Sequence, residues 1–531
     1  IAQWAEQTAD RLDPASPFVA LANADRAASK KNYAKAIPLA VKGLLRTATN
    51  YRTSLLTRAD LLVVAALALA IVAAVFAVSL FIRYGRSMAH DFRELASRKV
   101  SGGAVTVIAF ALMFLPVFLW LGPMWLVFYW FAIAFAYASA GERVAVVVVL
   151  ILIACAPVAL DTAAHWTAAV DSPVMVAAIS SASQAYEPEA LRRMQELVSA
   201  DGTEPMLHLL LGNLQAFEGN DEQAAAHYRR AIELKKDFAG ARVNRGNLHF
   251  FNNEFQAAIN QYEEAQKLDP NLAIAYYNNS VANGETYRFD QQAQMLERAR
   301  KADSDFVERA TRLQQQGQAK VVMYHPTIAE AWVVARRVTT RPAAASLFAN
   351  YSSFEPLKSI ANPVTIGAVV SIILGIVLWM LRRKTGVAGA CIKCGRTFCY
   401  RCKSARESAT YCTQCIHIYL KRDGVSLDTK RKKLEEVSGY HQLTLRRNRL
   451  FASVLPGAAQ ILEGRTTAGL IGSFIFAAAV VIAIFVGRLA PAIGSVAETA
   501  HLLIRLVAIL IAALIWIFMT LPVYRRRTIT V

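Results

Sequence analysis

A chain of 531 residues that is 55% apolar and only 18% charged is too hydrophobic for an ordinary soluble protein and too long for a single domain. Collagen-like, disordered and disulfide-stapled miniprotein classes are excluded. The formal charge of +19, from 58 Lys and Arg against 39 Asp and Glu, fits nucleic acid, anionic lipid or membrane topology, and its distribution along the chain separates these.

In chain order, residues 1–60 form a helical segment in which 18–45 alternates Ala with long side chains at helical spacing, as a degenerate repeat pair would. A bilayer core about 30 Å thick takes about 20 helical residues, and seven apolar runs approach that length. The first is 61–82. No charge occurs in 100–141, which Gly122 and Pro123 divide into two helices, and 144–160 follows with Pro157 near its end. These four make a membrane region at 61–160. The others are 363–381, 466–487 and 506–523. Backbone groups in lipid must pair internally, so each run is expected to be a helix, giving an all-α polytopic fold of about seven spans.

Lys and Arg in short flanks are retained in the cytoplasm. Arg83, Arg86, Arg93, Arg98 and Lys99 follow the first span, Arg382, Arg383 and Lys384 the fifth, and Arg525, Arg526 and Arg527 the seventh, all on one side by parity. This expects 1–60, 161–362 and 488–505 outside the cytoplasm of a bacterial inner membrane, and 382–450 and the C-terminus inside. An exported N-terminus beginning at Ile1 implies an export signal upstream; a cytoplasmic N-terminus is the opposite reading.

Between the fourth and fifth spans a 34-residue period appears: Gly212 with Gly246, Ala224 with Ala258, Tyr228 with Tyr262, and Ala231 with Ala265 and Ala299. With Pro270 at a helix-ending turn, these residues resemble the tetratricopeptide repeat (TPR). The clearest units are 205–239 and 240–273. A third, to 304, has Ser280 in place of the small Gly, which weakens its first helix. The resemblance implies that 161–362 is an α-solenoid with a protein-binding concave groove. Asn213, Asn244, Asn247 and Asn278 are candidate partner-binding residues, since Asn can hold a peptide backbone at both N–H and C=O; the alternative is four solvated polar positions. Residues 161–359 carry 20 Lys and Arg against 24 Asp and Glu, so the basic excess lies elsewhere.

Six of the seven cysteines fall between 391 and 415 as C-x2-C-x4-C-x2-C-x9-C-x2-C. Two thiolates two residues apart reach one metal from a turn, and two such turns supply the four tetrahedral ligands zinc prefers. In a reducing cytoplasm Zn2+ is a better reading than disulfides. The lone Cys155 sits in a membrane helix. The run Cys391-Ile-Lys-Cys394-Gly395-Arg-Thr-Phe398-Cys399-Tyr-Arg-Cys402, with Tyr411-Cys412-Thr-Gln-Cys415, resembles the later part of a FYVE finger. That resemblance implies alternating pairs, with Cys391, Cys394, Cys412 and Cys415 sharing one ion, a spacing that also suits a zinc ribbon. Cys399 and Cys402 then lack a partner pair, leaving His417 as an added ligand or a subunit contact as their role. The finger's phosphoinositide motif belongs to the missing part.

Around this module, 382–450 holds 17 Lys and Arg against 5 Asp and Glu, densest at Lys430, Arg431, Lys432 and Lys433, a composition expected to meet anionic lipid headgroups. Nucleic acid is disfavoured because aromatics are not interleaved with the charges. Residues 451–531 then read as a re-entrant segment and a two-helix membrane hairpin, entered through Pro456, Gly457 and Gly464. The spans lack the ionisable residues a proton-driven transporter needs, and no Walker loop, nucleophile elbow or metalloprotease helix occurs. The expectation is a non-enzymatic scaffold or assembly factor within a larger complex, binding protein partners on both membrane faces, as in a secretion, pilus or motility machine. The alternative is a subunit of a membrane-embedded enzyme or channel.

Overall fold

The computed structural model describes residues 17–97, 103–182, 188–317, 320–339, 363–385, 388–399, 410–421, 425–486 and 498–526. Cys402 and the loop at 488–497 lie outside these. The chain forms two compact units, one of residues 1–164 with 348–531 and one of residues 165–347.

In the first unit, α1 (Pro17–Ser29) and α2 (Tyr33–Thr47) pack as a hairpin in which Gly43 leaves room for Leu21. The long α3 (Tyr51–Ser97) carries the first apolar run. The next two predicted spans are shorter than the sequence suggests. The helix α4 (Ala104–Met113) and α5 (Pro123–Tyr137), separated by a single turn at Leu115–Phe118, are about 15 and 22 Å long at 1.5 Å per residue. Neither alone crosses a core of about 30 Å. Pro116 and Pro123 lack the N–H that would continue a helix. The two arms are tied together, because the Tyr129 hydroxyl donates to Leu112 O at 2.5 Å and Trp130 Nε1 donates to Met113 O at 3.0 Å. These bonds satisfy carbonyls that the end of α4 leaves orphaned. Five helices are long and apolar enough to cross a membrane: Thr53–Ser97, Ala140–Val170, Pro363–Leu381, Thr466–Phe485 and Glu498–Arg525. Counting neither α4 nor α5 as a span leaves the parity of the remaining flanks unchanged.

The core of this unit joins α3 and α5 to α6 (Ala140–Val170) through Phe76, Leu80, Phe131 and Leu150, all at most 1% exposed. Phe81 and Trp130 stack with centroids 4.2 Å apart.

The second unit begins with α7 (Pro173–Ala182) and α8 (Pro188–Ala200). Three helix hairpins follow: α9 (Pro205–Phe217) with α10 (Asp221–Leu234), α11 (Ala239–Phe251) with α12 (Phe255–Leu268), and α13 (Ala273–Glu285) with α14 (Phe289–Ala302). α15 (Ser304–Gln315) and α16 (Ile328–Val338) complete it. The 34-residue period has a steric origin. A Cβ at Gly212 would lie 2.6 Å from the Tyr228 ring, and one at Gly246 would lie 2.6 Å from the Tyr262 ring. In the third hairpin the position matching these tyrosines is Leu296, and Ser280 is accommodated there at 3% exposure, its hydroxyl donating to Tyr277 O at 2.7 Å. The less certain helix is thus fully formed.

Returning to the first unit, α17 (Pro363–Thr385) packs on α5, with Gly367 against Phe128 and Gly375 against Phe135. Small residues let helix backbones approach where lipid supplies no hydrophobic force. A two-strand ribbon, β1 (Gly389–Ala390) and β2 (Thr397–Phe398), pairs Gly389 with Phe398. α18 (Leu427–Val454) is followed by the buried turn α19 (Ala458–Leu462), then α20 (Thr466–Phe485) and α21 (Glu498–Arg525). Gly457 has φ +95°, and a Cβ there would lie 2.2 Å from Ser473 Oγ, so only glycine makes this entry to the hairpin.

Polar contacts within this unit connect the flanks of its helices. Arg83 pairs with buried Glu142 at 2.9 Å and donates to Ile461 O at 3.0 Å. Asp91 accepts from the Tyr137 hydroxyl at 2.9 Å and from Ala388 N–H, while Arg449 donates to Arg526 O at 2.8 Å. Asp25 accepts the N–H of Glu498 and of Thr499.

Candidate functional site

Two sites arise from the residues singled out by the sequence. The first is the inner face of the helix stack. Asn213, Asn244, Asn247 and Asn278 are all buried, at 0 to 4% exposure, which removes the solvated-position alternative. They hold backbone groups, and these are the chain's own: Val322 and Tyr324 in the segment 320–326, between α15 and α16.

The bonding repeats with the helices. Asn244 accepts Tyr324 N–H at 2.7 Å and donates to Tyr324 O at 2.9 Å. Its Nδ2 also donates to Asn213 Oδ1 at 2.7 Å, and Asn213 adds a 3.2 Å bond to Tyr324 O. One repeat later, Asn278 accepts Val322 N–H at 2.9 Å, donates to Val322 O at 2.7 Å and donates to Asn247 Oδ1 at 2.9 Å, while Asn247 donates to Val322 O at 2.8 Å. Each first-row amide oxygen is anchored from behind by a repeat tyrosine: Tyr228 to Asn213 at 3.0 Å and Tyr262 to Asn247 at 2.8 Å. Burial pushes both phenols above their ordinary pKa, so they remain donors. Adjacent hairpins therefore present two equivalent clamps to residues two apart on one extended strand, which runs antiparallel to the order of the repeats.

Side chains finish the seat. Val321 is 4% exposed and joins the core of the second and third hairpins, and Tyr324 packs against the cores on both sides of it. The Tyr324 ring occupies the space a Cβ at Gly240 would need, 2.2 Å away. His325 shares a 2.7 Å bond with Ser181, and burial pushes its pKa down to about 4.

The second site is the cysteine cluster. The thiols of Cys391, Cys394, Cys412 and Cys415, at most 5% exposed, lie within 4.8 Å of one another. The β1–β2 turn carries the first pair: Cys391 O accepts Gly395 N–H at 2.8 Å and Cys391 N–H donates to Arg396 O at 2.9 Å. Gly395, at φ +68°, supplies the left-handed turn residue and leaves room for the Tyr440 ring. The second pair opens and closes the turn Thr413–Cys415, with Cys412 capping it. Cys394 and Cys412 sulfurs are 3.7 Å apart. Burial raises the thiol pKa values of Cys412 and Cys415; at Cys415 the neighbouring sulfurs raise it further, while at Cys412 hydrogen bonds from Cys415 partly offset the rise. At Cys391 burial is outweighed by N–H groups of Cys394, Cys412 and Lys393, which bring it down to about 7. A divalent cation bound by deprotonated thiols is the arrangement that would relieve such crowding, and the donor set and compactness suit zinc.

The basic helix α18 covers this cluster. Val437 packs on the four cysteines with Phe398, Tyr411 and Tyr419 around them. Lys433, expected at the lipid surface, is instead 4% exposed and bonded to Glu436 at 2.8 Å. Burial opposes its charge, but Glu436 and the Cys394 sulfur hold its pKa above the ordinary value. Lys430, Arg431 and Lys432 stay exposed. Among the described residues His417 joins neither group of potential metal ligands, and Cys399 stands apart from the four thiols.

The tetratricopeptide repeat profile matches residues 207–238 and 239–272, so the chain contains such repeats. Two solved structures described as crystal structures of MamA are similar to parts of the chain. One is 18% identical over 32% of this chain and 95% of its own, with a TM-score of 0.23. The other is 17% identical over 31% and 86%, also with a TM-score of 0.23. No curated protein matches the chain.

Proposed function

We propose that this protein is a non-enzymatic membrane scaffold that receives an extended peptide segment of a protein partner in the groove of its repeats. The observation that supports this is the pair of asparagine clamps, which engage both N–H and C=O of alternate residues. Such bonds select an extended backbone without demanding a particular sequence. In this reading, residues 320–326 fill the groove in cis and a partner segment replaces them. The repeats face the extracytoplasmic side of a bacterial inner membrane. The cysteine module binds Zn2+ on the cytoplasmic side and engages a second partner, within an envelope machine. The contacts linking the flanks at 83–91, 137–142, 388 and 461 support one common side for these segments, and those of Asp25 with 498–499 support the other.

The test uses the full chain in detergent. Val322→Asp with Tyr324→Ala weakens the internal strand. A labelled peptide of the sequence Lys-Val-Val-Met-Tyr-His-Pro is expected to bind this variant at least tenfold more tightly than the parent. Adding Asn244→Ala and Asn278→Ala should abolish binding. Peptide uptake that ignores the asparagines, or none by the freed groove, would overturn the reading.

A further inference from the structure

Cys399 stands apart from the four-thiol cluster, and the structure brings it to a different part of the chain. The helix α3 continues well past its apolar run, and there His90 and Glu94, four residues apart, lie on one helical face. Their donor atoms and the Cys399 sulfur lie within 4.8 Å of one another. Cys399 Sγ is 3.9 Å from Glu94 Oε2 and is 6% exposed. We propose that His90, Glu94 and Cys399 form a second zinc site, separate from the four-thiol centre.

Sulfur, imidazole nitrogen and carboxylate oxygen are each ordinary zinc donors. Ligands about 2.0 to 2.3 Å from a tetrahedral ion lie roughly 3.3 to 3.8 Å from one another, close to the sulfur–oxygen separation seen here. The surroundings resemble those of a metal-bound histidine. His90 Nδ1 is 3.1 Å from Asp91 Oδ1. A carboxylate that accepts the far imidazole N–H fixes ring orientation and makes the ligand more basic. Asp91 is itself positioned by the Tyr137 hydroxyl at 2.9 Å and the Ala388 N–H at 3.1 Å. An open cleft lined by Arg86, His90, Arg93, Glu94, Arg396 and Thr397 adjoins His90 and Glu94. Three protein ligands leave the fourth tetrahedral position to water or another donor. The ion would fasten the β1–β2 module to the end of α3.

Metal analysis of the purified full chain, loaded with zinc alone and then desalted, decides this. The parent should retain two ions per chain, His90→Ala with Glu94→Gln one, and Cys391→Ser with Cys412→Ser one. Cobalt in the last variant should give a thiolate-to-metal band weaker than that of the four-thiol centre. A parent holding one ion or none, or two ions surviving loss of His90 and Glu94, would overturn the proposal. Should that double variant lose both ions, His90→Cys alone is the second measure. It restores a count of two if position 90 is a ligand; a count below two sinks the idea.

Discussion

The close approach of each repeat rests on one glycine facing one aromatic ring. At Gly246 a Cβ would lie 2.6 Å from Tyr262, whose ring is fully buried and whose hydroxyl holds Asn247. Gly246→Ala is expected to lower stability by about 1–3 kcal/mol through overpacking. Tyr262→Leu costs stability by itself, losing ring contacts and an Asn247 bond. The double variant should be less destabilised than the sum of the two, because the third repeat carries Ser280 and Leu296 at the matching positions. Additive losses in thermal unfolding of the detergent-solubilised chain would show that the Gly–Tyr contact is not what sets the spacing. The same pairing explains what was legible: the period could be read because steric demands recur every 34 residues. The four-thiol cluster was legible because two Cys-x2-Cys pairs each bring two thiols to one turn, a spacing that suits a metal ion. The ligand-like neighbours of Cys399 were not, since His90 and Glu94 lie about 300 residues upstream in a helix that reads only as a basic membrane flank.

Among the elements, the strand at 320–326 is the one sequence reasoning missed. The asparagines announced a grip on backbone, but backbone bonds carry no side-chain code, so nothing in Lys-Val-Val-Met-Tyr-His-Pro marks it as their occupant. Short helices at 104–137 were missed for a related reason: composition reports burial in an apolar medium, whereas prolines and interhelical hydrogen bonds set length. The strand's docking carries a pH dependence of definite sign. His325 is held near pKa 4 by burial, against an ordinary value of about 6.5, and its partner Ser181 is neutral. Above pH 6.5 neither the docked nor the released strand is protonated there, and docking is independent of this group. As pH falls from 6.5 to 4 the released state takes up a proton that the docked state refuses, so docking weakens by up to about 3 kcal/mol. Hydrogen exchange at Val322 and Tyr324 should therefore accelerate in that window. His325→Gln should flatten the dependence even though His208 and His227, also pushed down by burial, continue to titrate in the repeats. An unchanged slope in that variant assigns the effect elsewhere.

At the scale of the whole molecule, charge and chain path make one joint prediction. Basic flanks follow the helices Thr53–Ser97, Pro363–Leu381 and Glu498–Arg525, and because α4 and α5 are both too short to cross, the parity expected from charge is the same for five candidate spans as for seven. The repeats leave the chain after one crossing helix and rejoin it before the next. If the helices Ala140–Val170 and Pro363–Leu381 both cross, as the proposed function requires, the repeats and the cysteine module lie in opposite compartments whatever the absolute orientation. Asn220 and Lys430 are both exposed and belong to opposite sides in this scheme. With Cys155 replaced by Ala, Asn220→Cys should react in intact cells, once any outer permeability barrier is opened, with a thiol reagent unable to cross the inner membrane. Lys430→Cys should react only after that membrane is breached. Labelling of both from outside would break the alternation of crossings. Labelling of Lys430→Cys alone would keep the alternation but invert the polarity, placing the thiols in an oxidising compartment where metal binding is no longer the favoured reading.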